Sequence, residues 1–401
     1  MGSTIQNSLV SLGGEVHFHY YATYCAAVLA GYSHAESLEI CTAAQYVDCC
    51  TKTSLKKMKA PLSAATTQTQ MEMMEADPSI LCLQDITRIW ASFHFLPGDL
   101  TVKKPHCSRR YLNKYRLICQ PTSTLLLETL RQAEKIGTLQ AVGIAMHVLA
   151  DTWAHRNFAG TPSMVINHIA SDCYELRTID GETVEKKINF RHKVGGEDDL
   201  ENGRYTCTVP QFSENSVMNL GHGRAGHLPD YSFIRYRYLP AWADYEMVLK
   251  DNPTEYLHAF AQMVYAMKWL RGEIPELEKD AYDWEGIAEV RGTVEAILAK
   301  RQLLASRDWE ELGVRLSGQR IPAFTDLQYE REYLEAGKRE KENTAPGRFI
   351  YAALAHKSMV TKRIFDSGSL LAGFSVDYLT EGFRGMKDFR KLVDRMKGGN
   401  D

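Results

Sequence analysis

The chain has 401 residues, 44% apolar and 24% charged, an ordinary balance for a folded protein with one large core or two smaller ones. A net charge of −3 makes no electrostatic case for nucleic acid or an anionic membrane as partner. Nine cysteines, an odd number without a CxxC pair, suit neither a disulfide framework nor a zinc ribbon and point to reduced thiols.

Residues 1–14 lack the basic start and apolar stretch of a signal peptide, and no window approaches about 18 uninterrupted apolar residues. The expectation is a cytoplasmic protein, or one exported without an N-terminal signal peptide, with no transmembrane segment. Val16 to Gly31 is apolar and aromatic and reads as a helix. Gly31-Tyr32 turns the chain, and Ser33-His34-Ala35-Glu36 is a capping box that opens a second helix towards Cys50. Pro61 to Asp77 is polar and methionine-rich with weak periodicity. Pro121 opens a helix that stops near Gly137, and Thr138 to His155 forms the next, followed by Gly160-Thr161-Pro162.

The pattern changes at about 178–210, where Asp180-Gly181 and Asn202-Gly203 are turn signals around loosely alternating segments. This predicts a small β excursion of two or three strands. The stretch Leu220 to Asp230 is too glycine-rich for a regular helix. Helical periodicity returns at about 253–271, 282–303, 325–342, 347–366 and 382–397. The fold class is therefore mainly all-α: a multi-helix bundle, placed around a metal cluster by the histidines described below, with a small β excursion and a helical C-terminal region. Eleven of the thirteen histidines precede residue 230. That asymmetry suggests a metal-binding helical domain over 1–245 with the β insertion, and a helical region over 246–401 that packs on it or forms a second subdomain.

The metal expectation comes from the helix over 138–155. His147, Asp151 and His155 lie four residues apart, so they advance about 40° and rise about 6 Å per step and share one face. Two imidazoles and a carboxylate in so apolar a helix are costly to bury without partners, and a metal ion is the simplest common partner. Four further positions fit a shared centre. His17 and His19 open the first helix, Asp48 follows a small apolar run where an acid opposes the helix dipole, and His94 stands between two phenylalanines before a turn. His222 and Asp230, with His227 as a secondary candidate, lie in the glycine-rich loop. His168 and Asp172 are an alternative i, i+4 pair for the same role.

In this order the residues resemble the superfamily of zinc-dependent phospholipases C and single-strand nucleases, and a bacterial branch of it. The segments HYYATY, QYVD, FHFLPG, ADTWAH and GHGRAGHLPD carry the likeness, over about 15–230. The run His147 to Asp151 looks like that superfamily's His-x-Leu-Gly-Asp element, and His155-Arg156-Asn157-Phe158 like the following His with Asn-Phe. The resemblance implies an all-helical fold, two or three zinc ions, and hydrolysis of a phosphoester, with a phospholipid as one such substrate. His147, Asp48 and His94 would serve one ion. His155 with His222 and Asp230, or with His168 and Asp172, would serve the other. Asp151 would bridge them and Asp48 is the candidate general base. The gap from Asp151 to His155 is two residues shorter than in the phospholipases, and a third ion would need His17 or another residue in place of a free N-terminal amine.

A single-strand nuclease is the alternative enzyme, disfavoured by the absence of a basic patch. A histidine-aspartate phosphohydrolase would need an adjacent His-Asp dipeptide, which the chain lacks. The non-enzymatic alternative is a helical interaction protein with a structural metal. The basic segment 383–397, with Arg384, Lys387, Arg390, Lys391, Arg395 and Lys397, is either a solvated helix or a peripheral membrane contact.

Overall fold

The computed structural model describes residues 17–74, 80–169, 172–192 and 197–380. They are mainly helical, with a small β component. A π-helical turn, His17–Ala22, runs into α1 (Thr23–Leu29), so the first predicted helix is two elements. Helix α2 (His34–Tyr46) has the predicted capping box: the Glu36 amide donates to Ser33 Oγ at 3.3 Å and the Ser33 amide donates to the Glu36 carboxylate at 2.8 Å. Next come α3 (Lys52–Met58), α4 (Gln70–Met74), α5 (Ile80–Phe93) and α6 (Arg109–Tyr115). Helix α7 (Thr124–Ile136) starts at the Ser123 cap and stops at Gly137. Helix α8 (Leu139–Ala154) starts at the Thr138 cap and ends with His155 in the cap position.

The β component is larger than the sequence suggests. Strands β1 (Tyr174–Ile179), β2 (Glu182–Lys187), β3 (Asn189–Arg191) and β4 (Arg204–Thr206) fall in or beside the predicted excursion. Two more, β5 (Arg235–Tyr238) and β6 (Val248–Asp251), extend it to residue 251. The antiparallel sheet has the order β2-β1-β5-β6, while β3 and β4 form a separate parallel pair. Strand β5 alternates Arg-Tyr-Arg-Tyr, with both tyrosines buried, and its partner Tyr174-Glu175 lies about 60 residues earlier, which no local pattern reveals.

After β6 the chain is helical again: α9 (Asn252–Leu270), α10 (Arg291–Ala299), α11 (Ser306–Ser317), α12 (Asp326–Glu335) and α13 (Ala345–Asp366). The predicted helix over 282–303 shrinks to α10, and α11 lies between two predicted helices in a stretch given no element. The predicted helix over 382–397, with its basic residues, lies outside the described residues.

Helix α8 is the axis of the bundle. Residues 140–154 are all buried, because a helix apolar on every side must be covered on every side. Helices α2, α7, α9, α5 and α13 cover it. Helix α2 comes so close that a Cβ on Gly143 would lie 2.4 Å from the Ile40 carbonyl oxygen, so only glycine fits there. One apolar cluster runs from Phe18 through α8 and α9 to Ala372, and a smaller one, with Phe95, Phe158, Tyr236 and Tyr238, joins the sheet to the loop over 220–231.

Candidate metal centre

Tight packing of α2 on α8 brings together residues far apart in sequence. His19 projects from the π-helical turn, Asp48 from the turn after α2, His94 from just beyond α5, and His147 and Asp151 from α8. All five are buried. Asp151 is the hub: Oδ1 lies 3.1 Å from His19 Nε2, and Oδ2 lies 3.2 Å from both His94 Nδ1 and His147 Nε2. Asp48 Oδ1 lies 3.9 Å from those same two ring nitrogens, while its Oδ2 accepts from Gln45 Nε2 at 3.1 Å.

Main-chain carbonyls fix the tautomers. A carbonyl oxygen only accepts, so the ring nitrogen facing it carries the hydrogen. His147 Nδ1 donates to the Ala44 oxygen at 2.9 Å, and His94 Nε2 donates to the Thr66 oxygen at 3.0 Å. In their neutral forms both rings then turn a bare nitrogen on Asp151, and these two nitrogens are 3.4 Å apart. Burial, then the neighbouring His19, pushes His147 down to about 3, so it is neutral near pH 7. Burial alone would raise the Asp151 carboxyl, but the surrounding His155, His147 and His19 outweigh it and hold the group well below the usual carboxylate range. Two lone pairs and an anion thus converge at 3.2–3.4 Å. Ligand atoms about 2.0–2.1 Å from a tetrahedral zinc are about 3.3–3.4 Å from one another. The donor set and its spacing therefore fit a divalent ion.

A second group lies at the other end of the same helix turn. His155 Nδ1 donates to the His94 carbonyl oxygen at 2.6 Å, and His222 Nδ1 donates to the Gly226 oxygen at 2.7 Å. Each then directs Nε2 at Asp230 Oδ1, both at 3.5 Å. His227 is no third nitrogen here: its Nδ1 lies 2.9 Å from Asp230 Oδ2, on the far side of the carboxylate. Burial opposes ionisation of Asp230, but His222, His155 and His227 hold its carboxyl well below the usual range.

Three sets of side chains have ligand atoms within 4.8 Å of one another: His19, His147 and Asp151; Asp48, His94 and His147; and His155, His222 and Asp230. The first two share His147, whose one bare nitrogen serves one ion, so they form a single five-residue pocket. The structure thus brings His222 and Asp230 to His155, and leaves the alternative pair apart. His168 is half-buried in a loop, Asp172 is exposed, and neither is in these groups. Both oxygens of Asp151, the residue expected to bridge two ions, face side chains of the larger pocket. Its one link to the smaller group is His155 Nδ1 at 3.5 Å, a nitrogen already hydrogen-bonded to His94. His17 begins the π-helical turn, and its side chain is outside the described set.

The sequence held no sign of the carbonyl acceptors at Ala44, Thr66, His94 and Gly226, because any residue supplies one. Nor did it point to Thr66, whose hydroxyl donates to the Val47 carbonyl at 2.6 Å and so ties the loop that orients His94 to the turn that carries Asp48. Buried Lys357 adds a second tie, donating to the Ala65 oxygen at 2.6 Å. Tyr20, Tyr24 and Tyr46 are buried in the main apolar cluster.

The sequence profile of DUF6765, a family of unknown function, matches residues 15–364. That span holds both ligand groups and most of the chain, and the chain belongs to this family. It matches no curated protein and no solved structure.

Proposed function

We propose that this member of the DUF6765 family is a zinc-dependent hydrolase of phosphoesters, similar to the phospholipases C. One observation carries the reading: carbonyl-fixed histidines turn bare nitrogens on buried, ionised carboxylates in two neighbouring groups. A cation relieves that arrangement, and metal-ligating histidines characteristically donate their other N–H to a carbonyl or carboxylate. Zinc suits a histidine-rich set better than iron does. The phosphoester comes from the superfamily resemblance of these same residues.

His19, Asp48, His94, His147 and Asp151 would hold one ion, and His155, His222 and Asp230 another. Zinc in such a position supplies Lewis-acid activation of water and of a phosphate oxygen. The chain's own residues set where that chemistry occurs. His227 orients the Asp230 carboxylate through its outer oxygen. The His222 and His227 side chains are 17% and 31% exposed, whereas those of the larger pocket are covered, so a phosphate group reaches the smaller group first. Asp48 has one oxygen on Gln45 and the other aimed at ring nitrogens, which favours ligation over a general-base role.

The test is metal analysis of protein purified without added metal, followed by turnover of a phosphatidylcholine analogue and of single-stranded DNA. The expected result is one zinc for each group and faster turnover of the lipid analogue. Preference for DNA would move the assignment to the nuclease side. Bound zinc without turnover of either would favour a structural metal in an interaction protein. Protein without zinc, inactive after zinc is added, would overturn the proposal. No helix among the described residues is long and apolar enough to cross a membrane, so a phospholipid would be met at a surface.

A further inference from the structure

The smaller group has an unusual construction. His155 caps a helix, whereas Asp230 lies in a loop, so nothing within either element fixes the distance between them. Yet both are held from one short segment, the junction where β6 runs into α9. Buried Lys250, on β6, donates to the carbonyl oxygens of Trp153 at 2.9 Å and Ala154 at 3.2 Å, the last two residues of α8 before His155. Its third partner is the Glu255 carboxylate, one turn into α9. Two residues further on, the fully buried Asn252 side chain directs its NH₂ at the carbonyl oxygens of Leu228 at 2.8 Å, Pro229 at 3.3 Å and Tyr231 at 2.8 Å. Those three residues surround Asp230. Tyr256 adds a fourth bond, its hydroxyl donating to the Pro229 oxygen at 3.0 Å.

A lysine ammonium on helix-terminal carbonyls is favourable in its own right, because those carbonyls are unpaired within the helix and lie at the negative end of its dipole. Helix closure alone does not call for the same segment to bind the Asp230 turn through a buried amide as well. We propose that the junction from Lys250 to Tyr256 is a positioning clamp that sets the separation of His155 from Asp230 and so determines zinc affinity at the smaller group. This rests on the reading of that group as a zinc site. It also gives the C-terminal region a role in a centre whose ligands all precede it.

The clamp predicts a site-selective effect. Outer partners of metal ligands characteristically contribute about 10–100-fold in affinity. Full-length protein would be titrated with zinc against a competing chelator, with cobalt spectra reporting each group separately and His222→Ala marking the signal of the smaller one. Asn252→Ala is expected to weaken zinc at the smaller group by about tenfold or more and leave the larger within about twofold. Tyr256→Phe keeps the ring against Phe18, removes the bond to Pro229, and is expected to weaken the same group by a few-fold. It decides the matter if Asn252→Ala does not fold. Equal weakening at both groups, or none at either in folded protein, would overturn the clamp and leave the metal reading intact. Wild-type protein that binds no zinc would overturn both.

Discussion

The two ligand groups are built from different material. The larger pocket comes from helices and their immediate ends, is buried throughout, and collects four side chains around Asp151. The smaller takes one histidine from the end of α8 and its other two members from a glycine-rich loop, and opens to solvent at His222 and His227. Closed sites with a full protein ligand set hold structure together, whereas catalytic sites keep a position open. Under the proposed function, the contrast gives stability to the larger pocket and turnover to the smaller, and substitutions in each separate the two roles.

The largest effect is expected from Asp151→Asn. It removes the anion on which three imidazole nitrogens converge, and should lower zinc affinity in the larger pocket by more than the about 10–100-fold that an outer partner contributes. Thermal stability and hydrolysis should fall with it. Calorimetry of the zinc-loaded protein checks this, and unchanged zinc content would remove Asp151 from the ligand set. His222→Ala should act the other way round: loss of the ion at the open group and of hydrolysis, with the melting temperature of the core little changed. An equal fall in melting temperature for both variants would erase the distinction between the groups.

Gly143→Ala probes the packing that assembles the larger pocket. A methyl group 2.4 Å from the Ile40 oxygen forces α2 away from α8, at a cost of about 1–3 kcal/mol. Denaturant titration should show that loss, together with weaker zinc at the pocket holding Asp48. Acid should also weaken the metal-free protein. His147 is pushed down to about 3 in the fold but titrates near about 6.5 when unfolded, so as pH falls below about 6.5 the unfolded chain takes the proton first. Stability is therefore complete above about 6.5 and is lost towards about 3. Buried His356, pushed down to about 4, adds a loss of the same sign. Melting temperatures of chelator-treated protein at pH 7.5 and 5 measure the fall. The smallest effect belongs to His168→Ala, which should leave zinc content unchanged because the side chain stands outside both groups. Loss of an ion would restore the His168–Asp172 pair as ligands.

Much of this was legible before folding because helices write their burial into sequence. The i, i+4, i+8 spacing put His147, Asp151 and His155 on one face, and caps at Ser33 and Gly137 marked helix ends correctly. The superfamily resemblance also grouped Asp48 and His94 with His147. Three things were not legible. The division of labour around Asp151 depends on which carbonyl each ring meets, and carbonyls leave no mark in a sequence. Strand β5 pairs with β1 across about 60 residues, so the sheet's extent was underestimated. Lys250 and Asn252 looked like ordinary residues before a proline, since their partners lie about 20–100 residues away.

The most direct test of the central claim is a crystal structure of protein purified without added metal, with anomalous data collected on both sides of the zinc edge. The account predicts one zinc peak among His19, Asp48, His94, His147 and Asp151, and another among His155, His222 and Asp230. Well-ordered density for these side chains with no anomalous peak at either group would contradict it.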